Sequence, residues 1–472
     1  MMSRKFQVKA VPSTWLENNG RRLDCGPYVS GAIEARELLR QFTTSPLESV
    51  TAGHGGGIYN GPQFARNYVK DSRFGVPFLT TSSLLQTDLS SVSYLSRKDA
   101  ESPKLRYLRI TEGMTLITCS GTIGRMTYAR KDMEGMWSNQ DIMKVVSNRE
   151  CISPGYLFAF LSGRYGLPMV LNGTYGAIIQ HIEPNHIADL PVPRLGNVEA
   201  IAHELVQRAA DNRVLASQLI AEAIAKVMEN LEMSVDDRYT STERFSVTMQ
   251  SSHLLLKRMD SYYYSQDAIT ARDQFDRACR NHGAANIGDV AEVWIPDIFK
   301  RQYVDDPIFG CSYFTGKEIY ELAPSSDQFL KSSVAQEYRL LLTTGMILIQ
   351  DSGQVSGLIG RPVMVGKSLD GCACTNNMVR LIAPDLADNG YLFAVLSTVY
   401  GTRLLKREAS GSSIPHLEEG RIKRMSIPWP KRSIRERIGK QIVEAMELRD
   451  TAVDCESQAR LLIEKKIEEG GR

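Results

Sequence analysis

GYLFAFLSGRYG, residues Gly155 to Gly166, and GYLFAVLSTVYG, residues Gly390 to Gly401, are identical at nine of twelve positions in a chain of 472 residues. An offset of half the chain is too long for a solenoid repeat, whose period is roughly 20–50 residues. Two copies of a whole domain are therefore implied. Other matches keep the same order. Arg22, Asp24, Tyr28, Ala32, Ile33, Ala35 and Arg36 recur as Arg258, Asp260, Tyr264, Ala268, Ile269, Ala271 and Arg272. Phe64, Arg66, Tyr68 and Val69 recur as Phe299, Arg301, Tyr303 and Val304. GMTLITCSG, from Gly113 to Gly121, answers GMILIQDSG, from Gly345 to Gly353, and Gly124–Arg125 find Gly360–Arg361 after a four-residue insertion. Gly176, Ile179 and His181 return as Gly411, Ile414 and His416.

Composition bounds the functional classes. The chain is 43% hydrophobic and 23% charged, enough for two or three domains with real cores, and its net charge is only +2. A nucleic-acid binder with that balance must concentrate its cations locally, because no overall field attracts a polyanion. The eight cysteines have no regular spacing and MMSRKFQVKA lacks the apolar core of a signal peptide, so a reduced, cytoplasmic protein is expected. No apolar run approaches the ~18 residues that cross a bilayer, so no membrane partner is expected.

Within each half, residues from about Asn60 to Arg149 and from about Ile295 to Ile382 read as short strands cut by glycines and prolines. The GYLFA segments read as short buried helices. LPVP (Leu190 to Pro193) and IPWP (Ile427 to Pro430) read as stops, each followed by a long helix. From Ile201 to Leu231 there is neither Gly nor Pro, and Ile201, Leu205, Ala209, Ala216, Leu219, Ala223, Val227 and Leu231 recur at helical spacing. Ile434, Ile438, Ile442, Ala445, Val453, Ala459, Ile463 and Ile467 do the same in the second run. An isolated helix cannot bury such a stripe. The two helices are expected to pair, with apolar surface left over for helices of a partner. Asn212 and Arg449 interrupt the stripes at equivalent places, either as tolerated seam-edge residues or as a register-fixing pair.

The phrases RLDCGPYV, GVPFLTTSSL, GTIGR, SNQDIMKVV, GYLFAFLSG and GAIIQHIEPNHIADLPVPRL, in two diverged copies each closed by a long helix, resemble the specificity subunit of a type I restriction-modification system over almost the whole chain. The resemblance implies an α+β fold with two pseudo-symmetric target-recognition domains, residues 1–194 and 236–430, separated by two long antiparallel spacer helices within 195–235 and 431–472. It implies that each domain reads one half of a split double-stranded DNA target. It also implies that methyltransferase subunits, two in the usual family assembly, dock on the helices and that restriction (translocase) subunits join them. In that picture this chain is a non-catalytic subunit that binds no cofactor, with S-adenosylmethionine on the methyltransferase and ATP and Mg on the restriction subunit. Ile201, Leu205, Leu219, Val227, Ile438, Ile442, Val453 and Ile463 are the helix residues expected at the subunit interface.

The layout supports the same function independently. A helix of some 31 residues is roughly 46 Å long at ~1.5 Å per residue, and a turn of DNA is roughly 34–36 Å. Two similar domains on such a rod suit two half-sites with an unread gap. Divergence of the copies predicts half-sites of different sequence, unlike a homodimer's palindrome.

Motifs for enzymatic chemistry weaken on inspection. GRPVMVGKS, from Gly360 to Ser368, has five residues between its first Gly and the GK where a phosphate-binding loop has four, and it matches the strand and turn of GRMTYARK at Gly124 to Lys131. HGGG at His54 to Gly57 resembles a lipase oxyanion loop, yet no GxSxG nucleophile elbow exists, and a flexible glycine loop is expected. Cys372 and Cys374 flank one residue, and no CxxC or HExxH spacing suggests a metal. An amino-methyltransferase needs an Asn/Asp-Pro-Pro-aromatic motif; the chain has no Pro-Pro pair.

Candidate DNA contacts are Arg66 and Tyr68 with Arg301 and Tyr303, where a cation and an aromatic alternate on an extended segment and the arginine suits phosphate or guanine. An arginine covering a surface strand is the alternative. Ser120, Thr122 and Arg125 in SGTIGR, and Ser352, Gln354 and Arg361 in SGQVSGLIGR, suit phosphate contact or are plain hairpin turns. Thr81 and Ser82, and Thr315 and Lys317, begin loops after matching strands. Thr174, Tyr175, Gln180 and His181, and Ser412, Ser413 and His416, form polar turns before each half closes, the histidines being structural in the plainer reading. A duplicated protein-binding scaffold is the competing function; it would lack the steep salt dependence of a DNA reader.

Overall fold

The computed structural model describes residues 8–18, 21, 25–172, 181–234, 247–256, 258–355, 357–411 and 413–470. Arg22, Asp24, Thr174, Tyr175, Gly176, Ile179, Gln180 and Ser412 lie outside them. The chain is α+β. Its contacts form two compact units, one of residues 1–214 with 451–472 and the other of residues 215–450, so each unit takes one of the two copies and a part of each long helix.

Each copy builds two four-stranded sheets in the same order. In the first, the main sheet runs Ile58–Tyr59, Ile142–Val145, Thr115–Thr118, Met126–Tyr128, all antiparallel. The second copy repeats it with Glu292–Trp294, Met378–Ile382, Ile347–Gln350 and Pro362–Met364. The other sheet runs Tyr68–Val69, Tyr94–Ser96, Gly75–Leu79, Trp137–Ser138, and its last pair is parallel. Tyr303–Val304, Phe329–Lys331, Gly310–Phe314 and Ala373–Cys374 reproduce it, parallel pair included. The proline-marked stops are short strands. Pro191–Pro193 pairs with Thr44–Pro46 and Ser426–Pro428 pairs with Ala284–Asn286, which ties the end of each copy to its beginning.

The repeated GYLFA phrase is a buried helix in both units, Pro154–Ser162 and Leu386–Ser397. It is apolar all round because main-sheet residues cover one side and a long helix the other. Tyr156, Leu157, Phe158 and Phe160 are each at most 1% exposed, and burying one such side chain is worth about 1.5–3 kcal/mol. The retained tyrosine has a polar task as well: Tyr156 donates its hydroxyl to Pro193 O, and Tyr391 to Pro428 O at 3.0 Å. Each phrase thereby holds the closing strand of its own unit.

The long helices span Asn197–Asn230 and Arg432–Gly470. In the second unit they run antiparallel. Gln441 donates to Leu219 O and Glu222 Oε2, both at 3.1 Å, and accepts from Lys226 Nζ at 2.7 Å, while Arg437 donates to Asn230 Oδ1 at 3.2 Å. Most of the expected stripe is buried: Ala209, Ala216, Ala223 and Val227 in the first helix with Leu231 just past its end, and Ile438, Ile442, Ala445, Ala459, Ile463 and Ile467 in the second. The exceptions are Ile201, 47% exposed, and Leu205, Leu219, Ile434 and Val453, half-buried, while Ala202, Val206 and Ala452 are sealed without having been expected. At those places small residues let the helices pack closely, and the larger side chains lie at the margins. Val227, Ile438, Ile442 and Ile463 are at most 2% exposed inside the chain's own cores. Those four are spent on folding and offer nothing to a partner subunit; Ile201, Leu215 and Leu461 are the exposed large apolar side chains on the helices.

Asn212 and Arg449, singled out as the polar interruptions, are only half-buried. The buried ion pair begins one residue after Asn212, in the first unit, where Arg213 and Glu456 are each 5% exposed and bonded to one another. Two sequence motifs also resolve. The turn of GRPVMVGKS gives its Lys367 and Ser368 amides to Asp450 of the C-terminal helix at 2.7 and 3.0 Å, so a carboxylate of the chain occupies the donors a phosphate would need. HGGG is a kinked turn in which Gly55 and Gly56 take the left-handed φ of 56° and 73° that glycine allows, with His54 stacked on Tyr107 at 3.9 Å.

Candidate nucleic-acid interface

In the first unit residues of all four predicted segments gather around Asn139–Asp141, which crosses from the strand Trp137–Ser138 of one sheet to Ile142–Val145 of the other. Asn139 N donates to Leu79 O at 2.9 Å, next to the turn where Thr80 N reaches Ser83 Oγ at 2.9 Å and Thr80 Oγ1 lies 2.9 Å from Ser82 Oγ. Thr81 sits half-buried in this turn. Cys119 N donates to Asp141 O at 2.9 Å, and the following Ser120 pairs with His181 in an isolated bridge. Arg66 Nη2 donates to Gln140 Oε1 at 3.2 Å and lies 3.8 Å from Asp141. Thr118 Oγ1 closes the SGTIGR turn by donating to Thr122 O and accepting from Arg125 N at 3.0 Å. Tyr68 stands apart, 49% exposed, against Phe78 in the second sheet.

The second unit repeats the gathering around Thr375–Asn377. Thr375 N donates to Phe314 O at 3.0 Å, beside Thr315, whose amide is capped by Glu318 at 2.7 Å; Thr315 and Lys317 are exposed. Asp351 N donates to Asn377 O at 3.3 Å, and Ser352 bridges to His416. Gln350 Nε2 steadies Ser352 O at 3.1 Å, Tyr320 OH donates to Arg361 O at 2.7 Å, and the Arg361 guanidinium lies over the Tyr320 ring at 5.2 Å. Gln354 and Ser413 are exposed on these turns. Arg301 departs from its counterpart. It donates to Tyr313 OH at 3.2 Å and lies over that ring, with Tyr303 42% exposed beside it, instead of reaching the connection as Arg66 does.

His416 Nδ1 is 3.9 Å from Asp351 Oδ2. Burial pushes the Asp351 carboxyl above the ordinary range, opposed by Ser352 and His416. The turns thus bring hydroxyl, amide, guanidinium, imidazole and carboxylate groups to one end of each pair of sheets, a set that can donate to and accept from base edges and phosphates. Among the described residues no group of three or more His, Cys, Asp or Glu side chains is gathered to hold a metal ion. No described helix is long and apolar enough to cross a membrane.

Sequence reasoning missed a buried cation beneath each connection. Lys144 and Arg380 occupy equivalent places opposite Leu116 and Leu348, both 0% exposed. Lys144 Nζ donates to Ile142 O at 2.9 Å; Arg380 donates to Met378 O, Cys374 O and Thr375 O at 3.0 to 3.1 Å. A charged residue at one place in two apolar strands, SNQDIMKVV and TNNMVRLI, was the available signal. Burial pulls the Lys144 ammonium down to about 7 from 10.5, with Cys119 opposing. Because the unfolded lysine holds its proton to a higher pH, stability rises between about pH 7 and pH 10.5, by at most ~1.4 kcal/mol per pH unit. K144M is expected to flatten this rise in urea titrations at pH 7 to 9. An unchanged slope would show that Lys144 is not its source.

The fold defines a class: an internally duplicated α+β chain with paired polar turns on each copy and two long helices. No protein-family model and no curated protein matches the sequence. Three solved structures are similar. The type I restriction-modification system S subunit from M. genitalium has 12% identity, with 91% of this chain and 96% of that chain covered and a TM-score of 0.37. The HsdS subunit from Thermoanaerobacter tengcongensis has 12% identity, coverage of 90% and 96%, and a TM-score of 0.27. A chain from a structure on complex assembly and conformational transition of the type I R-M system has 13% identity, coverage of 91% and 97%, and a TM-score of 0.27.

Proposed function

We propose that this chain is the DNA-sequence specificity subunit of a type I restriction-modification complex, in which each copy reads one half of an asymmetric, gapped double-stranded target. The observation that carries the reading is the pairing of like frames with unlike turns: strand order is the same in both units, while SGTIGR is answered by the longer SGQVSGLIGR and Arg66 by a differently anchored Arg301. A shared frame with different polar groups at the same end suits two readers of different sequence. In this reading the subunit is non-catalytic, the long helices receive two methyltransferase subunits carrying S-adenosylmethionine, and restriction subunits bring ATP and Mg. Mapping methylated bases in host cells with and without the gene tests it. Loss of one gapped, non-palindromic motif on deletion is expected, and an unchanged map would overturn the proposal. A protein-binding scaffold would also leave no steep fall in DNA affinity between 50 and 200 mM salt, where a reader neutralising several phosphates loses orders of magnitude.

A further inference from the structure

The connections between the sheets, absent from the candidates drawn from sequence, have the properties a base reader needs. Both are three residues long, Asn139-Gln140-Asp141 and Thr375-Asn376-Asn377, and each enters from the parallel edge strand and leaves into the second strand of the main sheet. Backbone hydrogen bonds pin each at both ends, to Leu79 and Cys119 in one unit and to Phe314 and Asp351 in the other. The buried cations hold the carbonyls beside them from within, Lys144 at Ile142 and Arg380 at Cys374, Thr375 and Met378. A backbone fixed in this way positions its side chains with little ordering cost on binding.

Identity changes where geometry does not. All three residues differ between the copies, although length and pinning are retained. The middle residue is an amide in both, Gln140 and Asn376, and each is half-buried. An amide offers the adjacent acceptor and donor that match N6 and N7 of adenine in the major groove. In the first unit Arg66 donates to Gln140 Oε1, which fixes the orientation of the amide and leaves that oxygen a second lone pair.

We infer that Gln140 and Asn376 are specificity-determining residues, each reading an adenine-containing base pair in its own half of the target; the inference rests on the DNA-reading function proposed above. The test is methylated-base mapping in a deletion host that carries the wild-type gene, Q140A or N376A. Q140A is expected to relax one position in one half of the motif, by about 5- to 150-fold in preference, the equivalent of ~1–3 kcal/mol. N376A is expected to relax the other half only. Retention of the full motif by both variants would overturn the inference while leaving the DNA-reading function intact. So would loss of both halves by Q140A and by the conservative Q140N, when both variants melt like the wild type. A wild-type chain that directs no gapped motif would remove the proposed function and the inference together.

Discussion

Replacing Glu456 with glutamine is expected to destabilise the first unit by about 3–5 kcal/mol, because it removes the carboxylate charge that faces the buried Arg213 guanidinium. Arg213 and Glu456 are each 5% exposed in the seam of the helices, and Arg460 Nη2 lies 3.4 Å from the second oxygen of Glu456. Burial pushes the Glu456 carboxyl up, but Arg213 and Arg460 outweigh it and hold it below the ordinary range. A carboxyl depressed on folding contributes stability that is present above its unfolded value and lost as pH falls through the folded one. Acid should therefore weaken the wild type below about pH 4.5 more than E456Q. The pair is not needed for net stability. R213M/E456L, which removes both charges and keeps apolar volume, should recover most of the loss, since apolar replacements of buried pairs are often neutral or stabilising. A double-mutant cycle by urea denaturation measures this, and a cost below ~1 kcal/mol for E456Q would show that water reaches the pair.

That pair marks the limit of what periodicity reveals. Duplication, the buried GYLFA helices and the two long helices were legible because each leaves a regular trace, either a repeated phrase or apolar residues every three to four positions. The seam was legible only in part. Ile201 and Ala202 are one residue, and about 100°, apart on a helix, and a reading that favours large apolar side chains selects Ile201 where close packing selects Ala202. Arg213 was passed over for Asn212 by the same one-residue slip. Arg66, Ser120 and His181 were separate candidates that the fold brings near one another, but Gln140, on which Arg66 closes, was not among them. Its position depends on the parallel pairing of Trp137–Ser138 with Phe78–Leu79, a long-range register with no local signature. Arg301 shows the converse. Its motif matches Arg66, but the partner that captures it is a tyrosine, Tyr313, at the place where the first copy has Phe78.

G439A is expected to destabilise the second unit by about 2–3 kcal/mol, although alanine is the better helix former by about 1 kcal/mol. A Cβ at Gly439 would lie 1.8 Å from Ala387 O, and one at Gly390 would lie 2.4 Å from Gly439 O, so the C-terminal helix crosses Leu386–Ser397 backbone to backbone. No rotamer can relieve a clash with a carbonyl. The helices must separate, and overpacking of this kind costs ~1–3 kcal/mol or more. The first unit makes the corresponding crossing less tightly, with His203 in place of a glycine and its Nδ1 accepting from Gly155 N at 3.1 Å. A Cβ at Gly155 would sit 2.8 Å from that imidazole nitrogen and 2.9 Å from His203 O. G155A is therefore expected to cost less than G439A, since the ring can turn away and the backbone contacts that remain, His203 O at 2.9 Å and Cα at 3.0 Å, are longer than the 1.8 Å at Gly439. Thermal denaturation of the two variants side by side decides the point. Equal or stabilising effects would mean that the crossing helices slide freely, and the closeness of Gly390 to Gly439 would then have no part in fixing the position of the second unit's GYLFA helix on the C-terminal helix.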